Sequence, residues 1–241
     1  MGPAPHIALT AVDHELTVAV ILPVLNEAST LPTTLEHLRQ QMPDEIIVVD
    51  GGSTDATCDI VRARTDPLSL RWLVSARGRA SQMNVGAAAA HADVLLFLHA
   101  DTRLPFDAIE SVRAVMRAGN VWGRFDVRLD NPWFAYRVIE RFMNWRSALT
   151  GIATGDQAIF VRRDVFGKLG GYPVIALMED IALSARLKRI RAPARLRTAV
   201  ATSVRRWERN GVTRTVLRMW WLRLCYWFGV SPARLARWYD A

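Results

Sequence analysis

Val94-Leu-Leu-Phe-Leu-His-Ala-Asp-Thr102 is the stretch of this chain that decides its fold. Its apolar run has the length of a buried strand, and the run stops at a His-Ala-Asp triplet. Strands buried on both faces are typical of parallel sheets that helices cover. In such folds, ligands bind at the carboxyl ends of the strands. We therefore expect this strand to place the Asp101 carboxylate at a ligand-binding edge of a sheet.

Strands and helices alternate in the part of the chain that leads to this stretch. Earlier strands are predicted at 18–22, 46–49 and 70–74, and helical patterns separate them at 31–38, 56–64 and 80–90. This alternation predicts an α/β fold with a Rossmann-like, mostly parallel central sheet flanked by helices. Right-handed crossovers would bring the four strand ends to one edge, where Asn26, Glu27, Asp50, Arg77, Arg79 and Asp101 should meet.

The pattern loosens after Asp101. A helix is predicted from about Pro105, followed by strands at 121–129, 158–161 and 196–204 and by helices at 136–149 and from Met178 onward. No repeat, low-complexity segment or clear linker interrupts the chain. We expect a single domain over 1–241.

The charge of the chain is strongly positive and comes almost entirely from arginine. The net charge is +8, and only two of the 31 basic residues are lysines. Arginine suits bidentate contacts with phosphate. A phosphate-bearing substrate, an anionic membrane, nucleic acid and a merely solvated surface all fit this charge. Because no recognition helix or RNA-binding aromatic strand motif occurs, nucleic-acid binding is not expected.

The cysteines and the hydropathy favour a cytoplasmic protein. Cys58 and Cys225 have neither zinc-site nor disulfide-framework spacing. Residues 1–16 resemble a loose leader without a secretory signal. No apolar stretch has the length of a spanning helix.

Carboxylates occur at three positions where ligand chemistry is expected. His99 and Asp101 are candidate ligands for Mg²⁺ or Mn²⁺, because one carboxylate with phosphate oxygens and waters makes a suitable shell. Asp50 precedes a Gly-Gly-Ser turn that could bind a base or ribose, although a turn of this kind also forms without a ligand. Glu179 and Asp180 could supply a general base, or they could only complement a helix dipole.

Two C-terminal segments combine arginine with tryptophan. Arg205 to Arg209, which includes Arg206 and Trp207, could close over a diphosphate or form a solvated turn. The helix predicted over 215–228 is apolar around much of its circumference and aromatic near its ends. Within 211–230, this pattern fits a membrane surface, a homodimer contact, or packing over its own domain.

A set of motifs in fixed order carries a resemblance to a known family. The motifs are Pro23-Val-Leu-Asn-Glu27, Val48-Val-Asp50-Gly-Gly-Ser-Thr-Asp55, Arg77-Gly-Arg79 with Asn84-x-Gly86, His99-Ala-Asp101, Gly155-Asp156, Gly170-Gly-Tyr172 and Glu179-Asp180-x-x-Leu183. Over about residues 17–210 the chain resembles family-two glycosyltransferases with the A-type fold. Residues 178–188 and 206–210 resemble more narrowly the small bacterial transferases associated with arsenosugar biosynthesis or radical-SAM and selenodomain gene neighbourhoods.

The resemblance implies a nucleotide-diphosphate-sugar donor, Mn²⁺ or Mg²⁺, and inversion at the anomeric carbon. It divides the domain into a nucleotide-binding half at 17–104, an acceptor-binding half at 105–210 and a C-terminal helical segment at 211–241. It implies Asp180 as the base beside Glu179, Asp101 as the metal ligand with His99 as a second candidate, and an acceptor pocket at Gly155 and Asp156. The implied donor contacts are Pro23, Asn26, Glu27, Asp50, Arg77, Arg79, Asn84, Ala100, Arg206 and Trp207.

Two positions depart from the family pattern. His99 replaces the usual first aspartate of the metal triplet, and Gly51 replaces the usual second aspartate after the second strand. Both losses predict weaker metal binding, or binding that depends on the donor's phosphates. A second hypothesis is therefore a peripheral membrane protein that binds nucleotide sugars without turnover.

Overall fold

The structure is a computed structural model, and it describes residues 15–63 and 70–240. The side chains of residues 206, 209, 210 and 240 are not part of that description, and the predicted leader lies almost entirely outside it. The strands are β1 Val18–Val24, β2 Glu45–Asp50, β3 Leu70–Val74, β4 Val94–Phe97, β5 Thr102–Arg103, β6 Trp122–Leu129, β7 Phe160–Arg162 and β8 Ala194–Thr202.

These strands form one sheet in the order β3-β2-β1-β4-β7-β6-β8-β5. The first four are parallel to one another, and their carboxyl ends lie at one edge as the sequence predicts. β7 pairs antiparallel with β4 and β6, β8 runs parallel to β6, and β5 runs antiparallel to β8. The sheet is therefore mixed, with parallel pairings in the majority.

The helices cover both faces of the sheet. They are α1 Leu31–Gln41, α2 Thr57–Arg62, α3 Arg79–Ala89, α4 Ala108–Arg117, α5 Phe134–Thr150, α6 Arg163–Lys168, α7 Glu179–Ile190, α8 Arg205–Asn210, α9 Val212–Trp227 and α10 Pro232–Asp240, with a 3₁₀ turn at Gly155–Gln157. α6, α8 and β5 were not predicted, because elements this short show little periodicity, whereas α10 lies within the predicted C-terminal helical segment.

Alternate residues of the central strands belong to different cores. Val18, Val20 and Leu22 of β1 pack on one face of the sheet. Ala19 and Ile21 pack on the other. This two-sided burial is the reason that the central strands are continuously apolar in sequence.

The C-terminal helices pack over the start of α7. Leu222 and Cys225 of α9 and Leu235 of α10 form a buried cluster with Met178, and Ile181 packs against it. Within 15–63 and 70–240, no helix is both long enough and apolar enough to span a bilayer.

Candidate active site

The turns after β1 and β2 are joined to each other at the edge of the sheet. The Asn26 side-chain oxygen accepts a hydrogen bond from the Thr54 backbone N–H at 2.8 Å, and the Asn26 N–H donates to the Ser53 hydroxyl at 2.9 Å. Asn26 adopts a left-handed conformation with φ of 55°. The Glu27 N–H donates to Thr57 Oγ1 at 2.9 Å. Asn26 and Glu27 therefore lie beside the turn after Asp50, as predicted.

The Asp50 carboxylate is largely occupied by its own turn. It accepts hydrogen bonds from the Gly52 N–H and from the Ser53 N–H and hydroxyl. Asp50 is 2% exposed. The structure therefore shows Asp50 shaping the loop, and its contact with a nucleoside stays a prediction.

Gln82 explains why glycine occupies position 51. Its amide nitrogen donates to the backbone oxygens of Val24 and Val49, each at 2.8 Å, and thereby ties the ends of β1 and β2 together. A Cβ atom on Gly51 would lie 3.0 Å from the Gln82 side chain. A side chain at position 51 would therefore require the Gln82 side chain to shift by a few tenths of an ångström.

The segment after β4 brings His99 against the 3₁₀ turn. His99 Nδ1 lies 4.0 Å from the Asp156 carboxylate. A Cβ atom on Gly155 would lie only 2.5 Å from His99 Nε2, so this close approach requires glycine. Asp101 is half-buried, and its backbone oxygen accepts from the Ser203 N–H at 3.2 Å. Ala100 is buried, and its oxygen accepts from the Thr34 hydroxyl at 2.6 Å.

The two predicted catalytic carboxylates begin α7. The Gly155 N–H donates to Asp180 Oδ2 at 2.8 Å, which orients that carboxylate toward the same turn that His99 contacts. Met178, which precedes α7, is buried in a left-handed conformation with φ of 71°. Left-handed backbone is unfavourable for a non-glycine residue and occurs most often at functional sites. His99, Gly155 and Asp180 thus form a continuous line from β4 to α7.

Glu179, next to Asp180 at the start of α7, has a strongly shifted pKa. Burial disfavours its charged form, and Asp180 adds negative charge, so the pKa of Glu179 rises from 4.5 to about 7, although Arg79 opposes the rise. Arg79, at the start of α3, also lies within electrostatic range of Asp156 and Asp180. Burial, followed by the charges of Asp180 and Glu179, raises the pKa of the Tyr172 hydroxyl. The start of α3 is therefore within electrostatic range of the start of α7.

The raised pKa of Glu179 predicts how stability changes with pH. The pKa of Glu179 is higher in the folded than in the unfolded chain. The contribution of Glu179 to the free energy of unfolding is therefore fully present below pH 4.5 and is lost as the pH rises through about 7. We expect the free energy of unfolding of the wild type to fall by about 3 kcal/mol over this pH range. The Glu179→Gln variant should not show this fall, because glutamine does not titrate. Urea unfolding at about pH 5 and about pH 8 measures this, with exposed Glu36→Gln as the control. Equal losses in wild type and Glu179→Gln would contradict the assignment.

Several other predicted donor residues have structural contacts. The Asn84 amide donates to the Tyr172 oxygen at 2.8 Å and accepts from the Tyr172 N–H at 2.9 Å, which fixes the Gly170-Gly-Tyr172 loop to α3. Trp207 packs against the cluster of Leu129, Tyr136 and Val204. The structure thus gives Asn84 and Trp207 positioning roles, and their contacts with a donor stay predictions.

The remaining predicted donor residues lie at the same sheet edge or on α8. Pro23 pairs with Val49 within the parallel sheet, and Arg77 is exposed before α3. Arg206 belongs to α8, and its side chain lies outside the described residues. No structural finding tests the roles of these three residues.

Sequence reasoning missed three side chains near the carboxylates. Arg146 of α5 is within electrostatic range of Asp156, Asp180 and Arg223 of α9. Tyr239 of α10 acts electrostatically on Arg79. These residues come from α5, α9 and α10, and because tertiary packing brings them toward the carboxylates, no local spacing indicates their approach.

Residues 19–170 match the family model described as glycosyl transferase family 2. The chain belongs to this family. Over 166 residues it is 34% identical to a PGL/p-HBAD biosynthesis glycosyltransferase of Mycobacterium tuberculosis, an alignment that covers 64% of this chain and 62% of that protein. The chain thus spans less than two thirds of the length of this relative.

Solved structures share the fold. Staphylococcus aureus TarS 1–349 has a TM-score of 0.66 at 18% identity, with 78% of this chain and 60% of that chain covered. The mannosyltransferase PcManGT of Pyrobaculum calidifontis, in complex with GDP-Man and Mn²⁺, has a TM-score of 0.60 at 25% identity, with 79% and 57% covered. The fold is therefore of the A type of glycosyltransferases, with a curled mixed sheet flanked by helices.

Proposed function

We propose that this chain transfers a sugar from a nucleotide-diphosphate sugar to a hydroxyl group of a small-molecule or lipid-linked acceptor. The observation that carries this proposal is the contact line from β4 to α7. Gly155 lies against His99 and donates its N–H to Asp180 at 2.8 Å. A donor bound after the parallel strands would thus present its sugar toward Asp180. Membership of glycosyl transferase family 2 supports the same reaction class.

The donor would bind along the ends of β1 to β4. Pro23, Asn26, Glu27 and Asp50 shape the first two turns and would face the nucleoside. A further set, Arg77, Arg79, Ala100, Arg206 and Trp207, would line the diphosphate side, and Asn84 would hold the adjacent loop. Arginine is suited to this role because its guanidinium binds phosphate oxygens bidentately.

A divalent metal fits this edge only together with the donor. Among the residues that the structure describes, no group of three His, Cys, Asp or Glu side chains could hold an ion. Magnesium-type sites commonly combine one or two carboxylates with substrate phosphates, and a single carboxylate at Asp101 meets that requirement. We propose Asp101 as the ligand for Mn²⁺ or Mg²⁺, with His99 as the second candidate. Bound there, the metal would supply positive charge for the leaving diphosphate.

The chemistry at α7 would be general-base catalysis. Asp180 would take the proton of the acceptor hydroxyl as its oxygen attacks the anomeric carbon, while the bond to the diphosphate breaks on the opposite face. One such in-line displacement inverts the anomeric configuration. The Gly155 N–H would hold the Asp180 carboxylate in position, and Gly155 and Asp156 would border the acceptor.

Turnover separates this proposal from the second hypothesis, a peripheral membrane protein that only binds nucleotide sugars. The purified chain would be incubated with a panel of nucleotide sugars and Mn²⁺, and the released nucleoside diphosphate would be measured. Release from at least one donor is the expected result. Binding of a donor without release or transfer would favour the non-catalytic alternative.

The sequence of α7 and α8 also supports a narrower proposal. Residues 178–188 and 206–210 resemble the small bacterial transferases associated with arsenosugar biosynthesis or radical-SAM and selenodomain gene neighbourhoods. We propose that the chain belongs to that subgroup and acts in the cytoplasm.

A stripe of exposed apolar side chains runs along α9 and supports attachment to the inner face of a membrane. At about 100° per residue these side chains share one face of the helix, opposite the buried Leu222 and Thr215. The stripe consists of Leu217, Trp220, Trp221, Leu224, Trp227 and Phe228. Tryptophan beside arginine is typical of helices that lie in an anionic membrane interface.

Vesicle sedimentation tests this attachment. Replacing Trp220 and Trp221 together with serine should lower partitioning onto phosphatidylglycerol-containing vesicles by about tenfold, because the variant loses two exposed indole rings that would enter the interface. Phe106→Ser is the matched control, since Phe106 is 88% exposed on another element. Membrane attachment would be contradicted if the wild-type protein did not sediment with the vesicles. It would also be contradicted if light scattering showed a homodimer that forms through this stripe.

A further inference from the structure

Two arginine side chains with unsatisfied donors lie on the acceptor side of the candidate site. Nε and Nη2 of Arg146 and Nε of Arg223 are shielded from solvent and have no hydrogen-bond partner among the described residues. Arg146 lies within electrostatic range of Arg223, Asp180 and Asp156. Buried polar groups are nearly always hydrogen-bonded, so these orphaned donors require an explanation.

The packing of α9 fixes the place of Arg223. Its neighbours Leu222 and Cys225 are buried in a cluster with Met178, and Ile181 packs against that cluster. Met178 and Ile181 flank the Glu179-Asp180 pair in sequence. The backbone of Arg223 is therefore held over the start of α7.

Neighbouring contacts on α5 fix the place of Arg146 in the same way. The Asn144 side chain accepts a hydrogen bond from the Val127 N–H at 2.8 Å and donates one to the Val127 oxygen at 2.9 Å. Ser147 is 1% exposed. The backbone of α5 is therefore anchored on both sides of Arg146.

Charges of both signs act on Arg146, and the positive charge of Arg223 acts more strongly than the carboxylate of Asp180 or Asp156. Burial, followed by the positive charge of Arg223, lowers the pKa of Arg146 to about 10. The two partly buried guanidinium groups repel each other, and an anion bound between them would offset that repulsion. A site that binds an anion accounts for both charges and for the orphaned donors.

We infer that Arg146 and Arg223 bind an anionic group of the acceptor, a phosphate or a carboxylate, beside the carboxylate of Asp180. This inference rests on the proposed function, since it names the chemistry of the acceptor. The acceptor would then carry both a hydroxyl group, which Asp180 deprotonates, and an anion, which the guanidinium groups bind bidentately. The charges that act most strongly on Arg146 come from α9, α7 and the 3₁₀ turn, and none comes from the donor edge.

Titration calorimetry with inorganic phosphate tests this inference. Arg146→Gln and Arg223→Gln should each weaken phosphate binding by about tenfold or more, because each removes one guanidinium from the site. Arg214→Gln, an exposed arginine on the same helix, should stay within about twofold of wild type. If Arg146→Gln does not fold, Arg146→Lys keeps the charge and should still bind phosphate more weakly than wild type, since an ammonium group cannot form the bidentate pair.

UDP and GDP, titrated into the same variants, distinguish the inference from the proposed function. We expect nucleotide binding to be unchanged by the arginine substitutions. Failure of wild type to bind phosphate, equal phosphate binding in all variants, or loss of nucleotide binding with the arginines would overturn the inference. Arginine-dependent phosphate binding in a chain that binds no nucleotide would support the anion site and contradict the proposed function. Competition by glycerol 3-phosphate or by phosphatidylglycerol vesicles would identify a soluble or a lipid acceptor, respectively.

Discussion

Replacing Asp180 with asparagine is expected to lower the rate of sugar transfer by about 10²–10⁴-fold while nucleoside diphosphate binding stays within about twofold. Asparagine keeps an oxygen that can accept the Gly155 N–H, so the hydrogen bond at 2.8 Å and the local fold should survive. What it loses is the ability to take a proton from the acceptor hydroxyl. The effect should therefore be on kcat for transfer, measured with the donor that the panel identifies.

Glu179→Gln is the matched control for this result. At about pH 6, Glu179 is mostly protonated because its pKa is raised to about 7, and glutamine imitates that neutral form. We therefore expect Glu179→Gln to lose less than about tenfold in rate at that pH, which is below the range for removal of a general base. An Asp180→Asn enzyme with wild-type transfer rates would exclude Asp180 as the base.

Asp101→Asn is expected to weaken Mn²⁺-dependent binding of nucleoside diphosphate by at least about tenfold, or about 1.4 kcal/mol. Within the described ranges 15–63 and 70–240, no group of three acidic, histidine or cysteine side chains could substitute for it. The loss should appear only when Mn²⁺ is present, because the carboxylate acts on the nucleotide through the ion.

Calorimetric titrations with and without Mn²⁺ measure this effect. Asp107→Asn, at the N-cap position of α4, serves as the matched control because its carboxylate is exposed and on a different element. Equal Mn²⁺-dependent affinity in wild type and Asp101→Asn would remove Asp101 from the metal site. A loss of equal size without Mn²⁺ would show that Asp101 acts on the nucleotide directly.

The sequence predicts the carboxyl edge of the parallel strands well, because that edge follows from local patterns. Each central strand is an apolar run of the right length, and each ends in a polar residue such as Asn26, Asp50 or Asp101. Parallel pairing then brings the ends together with no further information. The same rule does not reveal how each side chain is used. The Asp50 carboxylate accepts hydrogen bonds from its own turn, and the Asn84 amide is bound by the backbone of Tyr172.

The acceptor side could be predicted only in part, because tertiary packing creates it. The sequence identifies Asp180 and Gly155 as candidates, but it does not show that Gly155 must be small because His99 lies against it. Nor does the spacing of α5 and α9 show that Arg146 lies within electrostatic range of Arg223 and Asp180. The contact of α9 with Met178 and Ile181, far away in sequence, brings this about. Long-range packing of this kind has no local signature.

The anomeric configuration of the first sugar released from a nucleotide sugar tests the central claim most directly. Water can serve as the acceptor, so the natural acceptor need not be known. Proton NMR can then identify the anomer that hydrolysis releases before mutarotation equilibrates the two anomers. A single displacement assisted by Asp180 predicts that an α-linked donor first gives the β-sugar. Initial release of the α-sugar, or no hydrolysis of any bound donor, would contradict the account.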